Sequence, residues 1–395
     1  MLSLSTILTF RSSCHWIWNL GEASIRAMSH DVIDLTSDAH NNYIIINNNN
    51  INNNNNNNGN NNDNDNDNFI YSTPPQTPVK KRLKKSVETT KRIPAMMTPA
   101  PLTFATTSAT DKPPPFHICT YNVWFGSEEN AGPYAEERMN EIIKSLLPHA
   151  PRMIGFQEVT PLLAQILDPL LKSAGYQCFS QDLSGFVVGY GCVVAVRADH
   201  IVEGGFKPFR TSQLDRGISY AILQFDGREI IFTTTHAESW CGPNYIGAKQ
   251  REMQLQEMTN FCDTWMTKRP SIDMAVITGD LNWDDWRPKS EGDNKPLEQV
   301  VGPEWLDTWK LLYPDAKKDP GYTYDGKINP MLNSSLRRRF DRCLIRTNKK
   351  SISVEKAFLI GMHPIPGISW TKGPTNKMVP VTPSDHYGLV IKIQY

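Results

Sequence analysis

The feature that most limits how this chain can fold is a short apolar strand cut off by glycine: residues 274–285 read Met-Ala-Val-Ile-Thr-Gly-Asp-Leu-Asn-Trp-Asp-Asp. Residues 274–277 have the length of a buried strand, and Gly279 stops it, so the polar residues beyond sit on the strand's carboxyl rim. Asp280 and Asn282 are two apart, and on extended backbone both point one way while Leu281 turns into the core. A carboxylate beside an amide suits a phosphate whose attacking water must lose a proton while its oxygens are held. Taken alone, the run is equally an Asx turn, because Gly, Asp and Asn are ordinary turn formers.

The chain sets 41 Lys plus Arg against 41 Asp plus Glu over 395 residues, so total charge indicates neither a polyanion binder nor an acidic tail. Local charge has to carry the argument. Seven cysteines, without regular spacing or a Cys-x-x-Cys pair, argue against a disulfide framework or structural zinc and predict reduced thiols. No apolar run approaches the roughly 20 residues needed to cross a bilayer, which excludes a membrane-embedded protein.

Residues 1–114 read as a disordered N-terminal region. Residues 1–27, with Arg11, Arg26 and no acid before Glu22, loosely resemble a mitochondrial presequence, and Met28 is as good a start. Residues 31–38, Asp-Val-Ile-Asp-Leu-Thr-Ser-Asp, hold Val32, Ile33 and Leu35 between acids. An extended peptide of this kind adds to a sheet edge with its aliphatics in pockets, and it resembles a SUMO-interaction motif. The asparagine tract of residues 47–68 cannot bury enough apolar area to offset its ordering entropy and is a spacer. Residues 78–85, Pro-Val-Lys-Lys-Arg-Leu-Lys-Lys, predict a nuclear localisation signal, although the same charge adds nonspecific nucleic-acid affinity.

Beyond the triple proline at 113–115 the texture changes, and residues 115–395 have the size of one large α/β unit. Periodicity predicts strands over 116–123, 153–156, 176–180, 186–197, 218–225, 229–235, 274–278, 339–346, 354–359 and 387–393. It predicts helices over 133–147, 161–172 and 249–266. Strands and helices alternate, strands then cluster, and the order repeats. That pattern fits a four-layer α/β sandwich, two packed mixed β-sheets flanked by helices. Polar groups stand at the strand ends: Asn122, Glu158, His236, Asp280 with Asn282, Asp341, and Asp385 with His386.

Thr120-Tyr-Asn-Val-Trp124, Gly155-Phe-Gln-Glu-Val159, Thr235-His-Ala-Glu-Ser239, Gly279-Asp-Leu-Asn282, Arg339-Phe-Asp-Arg342 and Ser384-Asp-His386 follow in that order. Each tag is weak, but the ordered set resembles the endonuclease/exonuclease/phosphatase family over residues 116–395. With Gly-Tyr-Thr-Tyr-Asp at 321–325, it is most similar to the branch that frees tyrosine from DNA 5′ ends. Asp280 is then the group that orients and deprotonates the attacking water, and Asn282 holds the scissile phosphate. His386 and His236 donate to its oxygens, and Asp341 orients His386 and keeps it protonated. Glu158 suits Mg²⁺, or Mn²⁺, as a hard carboxylate. Asp385 reaches the metal's shell through water, and Asn122 holds the ligating carboxylate or a water. No Cys or Ser nucleophile stands at a strand end, so water attacks directly.

Tyr324 and Phe340 match positions that line the DNA channel in the resembled branch, with Leu336 a looser match, and Arg337, Arg338 and Arg339 are placed to hold backbone phosphates. Trp124 and Asp284 depart from the pattern, standing where the better-known members have Asp and Arg, and a negative Asp284 would repel a phosphate. The resemblance implies a Mg²⁺-dependent phosphodiesterase cleaving the bond between a topoisomerase tyrosine and a DNA 5′ phosphate. The alternatives are a related nuclease or phosphatase, such as an abasic-site endonuclease, or a SUMO-binding adaptor with an inactive domain. The expected partners are DNA carrying a 5′-linked protein adduct and SUMO, for a monomer with no membrane contact that is nuclear, a mitochondrial or cytoplasmic pool being the alternative.

Overall fold

The central strands are apolar on both faces, and the two faces feed different cores. The computed structural model describes residues 114–126, 132–180, 189–241, 247–285, 287, 295–315, 317–372 and 376–394. The presequence-like, SUMO-type, asparagine-rich and basic segments of residues 1–113 lie outside the described residues, as does the whole of a second unit, Ile25–Thr107.

One sheet contains β1 (Phe116–Asn122), β2 (Met153–Val159), β3 (Gln177–Phe179), β4 (Gly191–Val196), β13 (Ser353–Ile360) and β16 (Gly388–Gln394), in the order β13-β16-β1-β2-β4-β3. The other contains β5 (His200–Pro208), β6 (Gly217–Phe225), β7 (Arg228–His236), β8 (Met274–Asp280), β9 (Leu306–Asp307) and β12 (Asp341–Thr347), in the order β5-β6-β7-β8-β12-β9. Two hairpins pair β10 (Tyr324–Asp325) with β11 (Arg337–Arg338) and β14 (Ser369–Lys372) with β15 (Lys377–Pro380).

Both sheets repeat one plan. A parallel pair, β1 with β2 or β7 with β8, stands in the middle, and every other neighbour is antiparallel. Parallel neighbours need a long crossover, and each pair has a helical one: α1 (Ala135–Leu146) between β1 and β2, α3 (Ala248–Lys268) between β7 and β8. Met139, Ile142, Ile143 and Leu146 put one buried face of α1 on the sheet. The next helix, α2 (Pro161–Ser173), starts with proline at its first position, and the Thr160 side chain accepts from the Leu163 amide at 3.3 Å. Such a cap contributes about 1 kcal/mol.

Side-chain alternation sorts the layers. Ile118, Met153, Phe232, Val276 and Ile391 meet between the sheets. Their neighbours Cys119 and Ile154 pack under α1 and α2, and Ala275 and Ile277 pack under α3 with Leu255 and Met258. The result is the four-layer sandwich. Toward the strand ends the gap between sheets becomes tight and polar. A Cβ on Gly155 would lie 2.3 Å from Thr234 Oγ1, and Gln157 Nε2 donates to Thr120 Oγ1 at 3.0 Å and Thr234 Oγ1 at 2.9 Å.

The sequence reading omitted β5, an edge strand with a bulge between Ile201 and Glu203 and a mixed burial pattern, so its alternation is broken where prediction needs it. It also omitted both hairpins, β9 and the short helices α4 (Leu297–Val301) and α5 (Thr308–Leu312), which are too brief to show a period. The strand predicted over 186–197 is β4, with residues 181–188 outside the described set. Six cysteines among the described residues are free thiols. No helix among them is long and apolar enough to cross a membrane.

Candidate active site

The four carboxyl ends of the two parallel pairs open on one place, delivering Asn122 and Glu158 from one sheet and His236 and Asp280 from the other. Asn122 Nδ2 donates to Glu158 Oε1 at 3.0 Å and to Asp280 Oδ2 at 3.1 Å, so one amide ties together carboxylates of both sheets. Its oxygen accepts from the Trp124 amide at 3.0 Å. Glu158 is aimed by a register break in β2 between Phe156 and Val159 and by a left-handed φ of 60°. A non-glycine residue held there costs about 1–3 kcal/mol, which the surrounding packing has to offset.

Asp280 follows Gly279, whose φ is 130° and whose Cβ, if it had one, would lie 1.9 Å from the Thr235 carbonyl oxygen. Only glycine lets β7 and β8 close this tightly. Asp280 Oδ1 accepts from the Asn282 amide at 2.9 Å, while Oδ2 lies 3.5 Å from His236 Nε2 and 3.8 Å from His386 Nε2. Burial above all, with Asp341 and Glu158 behind it, raises the Asp280 pKa against the pull of His386. A carboxylate so raised is better matched to accepting a proton near neutrality.

His236 Nδ1 lies 2.6 Å from Nη1 of Arg216. A guanidinium only donates, so Nδ1 accepts and Nε2 carries the proton that faces Asp280. Arg216 is buried at the mouth of β6 and also reaches Ser239 Oγ at 3.3 Å. The sequence reading missed it, because nothing within a few residues of Arg216 marks the partner that the fold sets against it. Asn282 Nδ2 donates to the Ala237 carbonyl at 3.1 Å and Ser239 Oγ at 3.4 Å, which turns its amide toward the His236 end of the cluster.

Asp341 faces Asp280 across the β8–β12 ladder, and its Oδ2 lies 2.7 Å from His386 Nδ1. Burial lowers the His386 pKa, but Asp341, Asp385 and Asp280 outweigh it and hold the imidazole well above its ordinary value. That direction favours the protonated, donating form of the ring. Its loop is latched on three sides: Ser384 Oγ donates to the Asn122 carbonyl at 2.7 Å, and Arg138 donates to the carbonyls of Pro383 at 3.1 Å and Val123 at 2.9 Å. Asn329 Nδ2 donates to the carbonyls of Ser384 at 2.9 Å and Asp385 at 3.2 Å. Neither Arg138 nor Asn329 was singled out from sequence, since one lies on a helix face and the other in an irregular segment.

The rings expected to line a DNA channel stand elsewhere in the economy of the site. Tyr324 and Phe340 flank His386, with centroids 5.2 and 6.3 Å away, and are only 7% and 3% exposed. They hold the imidazole in place instead of presenting an open stacking face. Leu336 is half-buried against them. The three arginines are paired internally: Arg337 with Asp325 at 2.7 Å, Arg339 with Asp307 at 2.9 Å, and Arg338 with Asp284. Asp284 is thus neutralised, and the repulsion expected of it is cancelled by Arg338. Trp124, the other departure, is buried with Met331, Ile365 and Val381, under the Arg138 guanidinium.

Asp280, Asp341 and His386 bring ligand atoms within 4.8 Å of one another, but a hydrogen bond already joins the last two. Glu158 and Asp385 suit a hard divalent cation better, because both are buried oxygen donors and both charges act on the Tyr324 hydroxyl and the Arg138 guanidinium. Asn122 points its amide nitrogen at Glu158, so it holds that carboxylate.

Residues 119–386 match the endonuclease/exonuclease/phosphatase family. Tyrosyl-DNA phosphodiesterase 2 of Danio rerio is 24% identical over 261 residues, 64% of this chain and 61% of that protein, and the Homo sapiens protein is 23% identical over 263 residues, 65% and 63%. The matched stretch therefore spans about three fifths of those relatives. Among solved structures, truncated Caenorhabditis elegans tyrosyl-DNA phosphodiesterase 2 superposes with a TM-score of 0.56 at 18% identity, covering 71% of this chain and 98% of that one. The Danio rerio protein complexed with a single-strand DNA product gives 0.53 at 20% identity, covering 71% and 99%. With more than half its length matched and the fold shared, the chain belongs to the endonuclease/exonuclease/phosphatase family.

Proposed function

We propose that this protein is a Mg²⁺-dependent phosphodiesterase that hydrolyses the bond between a topoisomerase tyrosine and a DNA 5′ phosphate. The observation that carries the reading is the seat of Asp280: one oxygen fixed by the Asn282 amide, the other among Asn122, His236 and His386. Asp280 takes the proton of the attacking water. The His236 Nε2 proton and the His386 imidazolium donate to the phosphoryl oxygens, with Asn282 beside them. Glu158 and Asp385 would hold the cation, which, when bound, neutralises phosphate charge and polarises a phosphoryl oxygen. Arg216, buried between His236 and the Tyr190 ring, sets a fixed positive charge on one flank, a suitable neighbour for a departing phenolate.

The test is release of tyrosyl peptide from a 5′-linked oligonucleotide, with and without chelator. Chelator-sensitive release leaving a 5′ phosphate supports the proposal. Cleavage of an abasic duplex in preference to the tyrosyl oligonucleotide overturns it in favour of the endonuclease. We also propose that residues 31–38 recruit the enzyme to SUMO-modified adducts and residues 78–85 direct it to the nucleus. Loss of SUMO binding and of nuclear signal on deleting each segment, with turnover unchanged, is the expected result.

A further inference from the structure

A groove runs along α3, on the face of the second sheet that packs against that helix. One face of α3, from Met253 to Lys268, forms a wall of a groove of about 650 Å³ whose other wall is Lys207 and Arg210, at the end of edge strand β5 and just beyond it. At 1.5 Å per residue that face is about 22 Å long. Phe261 and Trp265, one turn apart, are half-buried, so each shows part of a ring to the groove. Lys207 is spoken for: it pairs with Glu257 at 3.1 Å and stands 5.3 Å from the Phe261 centroid. Arg210 and Lys268, at the two ends, are exposed and meet no carboxylate among the described residues.

That contrast matters because Arg337, Arg338 and Arg339 are all consumed by internal carboxylates. Arg210 stands in the loop that joins β5 to β6. The Phe209 amide donates to the Arg216 carbonyl at 3.0 Å, which puts Arg210 one residue from the chain that holds His236. In the same loop, Ser212 Oγ and the Gln213 amide bind the Glu238 carboxylate at 2.7 and 2.8 Å, fixing it to the His236 tag.

We infer that this groove binds a short single-stranded stretch of the nucleic-acid substrate beyond the catalytic pocket, an inference that rests on the nucleic-acid reading of that pocket. Unpaired cations at both ends meet phosphates, and the two rings give sequence-tolerant faces for bases. Grooves of this kind take from roughly four nucleotides upward.

The test uses the full chain and a fluorescent oligothymidylate without adduct, followed by anisotropy across a salt series. Turnover of a small aryl ester of thymidine 5′-phosphate is measured in parallel. Arg210→Glu with Lys268→Glu is expected to weaken oligonucleotide binding about tenfold and to flatten the salt slope by about one unit per side chain, leaving small-ester turnover unchanged. Photo-crosslinks from 5-iodouracil are expected at Phe261 or Trp265. Unchanged affinity and slope overturn the inference, as does a polyglutamate peptide that competes as well as the oligonucleotide. If the wild-type chain turns over no phosphodiester yet loses oligonucleotide binding with the double substitution, the groove stands and the proposed reaction falls.

Discussion

Asp341 and Arg342 are consecutive on β12, and they point to opposite sides of the sheet into two clusters of buried charge wired in contrary ways. On the Arg342 side the charges are saturated. Asp307 accepts from Arg339 at 2.9 Å and Arg342 at 2.9 Å, and Asp285 lies 3.1 Å from Arg342 and 3.2 Å from Lys310. Burial pushes the Asp307 carboxyl up, but the two guanidiniums outweigh it and hold it well below the usual range. On the Asp341 side carboxylates crowd one another, with no guanidinium between them among the described residues, and one oxygen is left over. The Asp280 pKa is raised, and Asp341 Oδ1 meets no donor among the described residues. The difference teaches that saturated buried charge fixes backbone, whereas charge left underpaired is available to a substrate or a cation.

The comparison breaks most decisively at Asp280. Asp280→Asn should cut turnover by roughly a thousandfold, within the range for loss of a general base. Thermal stability should stay level or rise, because a crowded carboxylate has been removed. Calorimetry showing a collapsed fold would move Asp280 into the saturated class. Asp307→Asn should do the reverse. It leaves two guanidiniums buried and undercompensated, so urea unfolding should show a loss of about 3–5 kcal/mol. Turnover by the protein that remains folded should stay within a few-fold of normal.

Acid should act through the same saturated cluster. The folded-state pKa of Asp307 is depressed, so its stabilisation is complete above its unfolded value, about 3.9, and is lost as pH falls through the folded one. Below about pH 4, thermal stability of the wild-type chain should therefore fall faster than that of Asp307→Asn. Parallel melting curves for the two proteins across that range would remove Asp307 from the account of acid sensitivity.

What could be read in advance divides along the same line. The fold was legible because buried strands ending in polar tags are local: Met274 to Ile277 with Gly279, or His236 after β7, declare themselves within a few residues. The meeting of Asn122, Glu158, His236, Asp280, Asp341 and His386 follows from strand ends sharing one edge. The partners of each arginine were not legible. Arg338 looked like a phosphate ligand until the fold set Asp284 against it, and Arg216 looked ordinary until the fold set it on His236. Charge pairing joins residues far apart along the chain, 54 positions for Arg338 and Asp284 and 83 for Arg346 and Asp263, and nothing in local pattern encodes it.

Two smaller effects sharpen the boundary. Asn329→Ala removes both donors to the Ser384 and Asp385 carbonyls without touching a charge, and should cost roughly 10–100-fold in activity, as loss of a group that orients a metal-site residue does. The loss should appear as a higher metal concentration for half-maximal rate; a pure loss of stability with normal metal dependence would make Asn329 scaffolding only.

The smallest effect belongs to Arg337, which pairs with Asp325 like the saturated arginines but is the most exposed of them, its side chain 34% accessible. Asp325 has a second donor in the Lys327 amide at 3.0 Å, and water reaches the pair from the Arg337 side. Arg337→Met removes the guanidinium that both pairs with Asp325 and stands 4.5 Å from the Tyr322 ring centroid, so the measured cost sums the ion pair and the cation–π contact. The expected cost is about 1 kcal/mol or less by urea unfolding, the range of solvent-screened pairs. A cost near that of Asp307→Asn would mean that exposure does not separate scaffold charge from surface charge, and that the saturated cluster extends through β10 and β11.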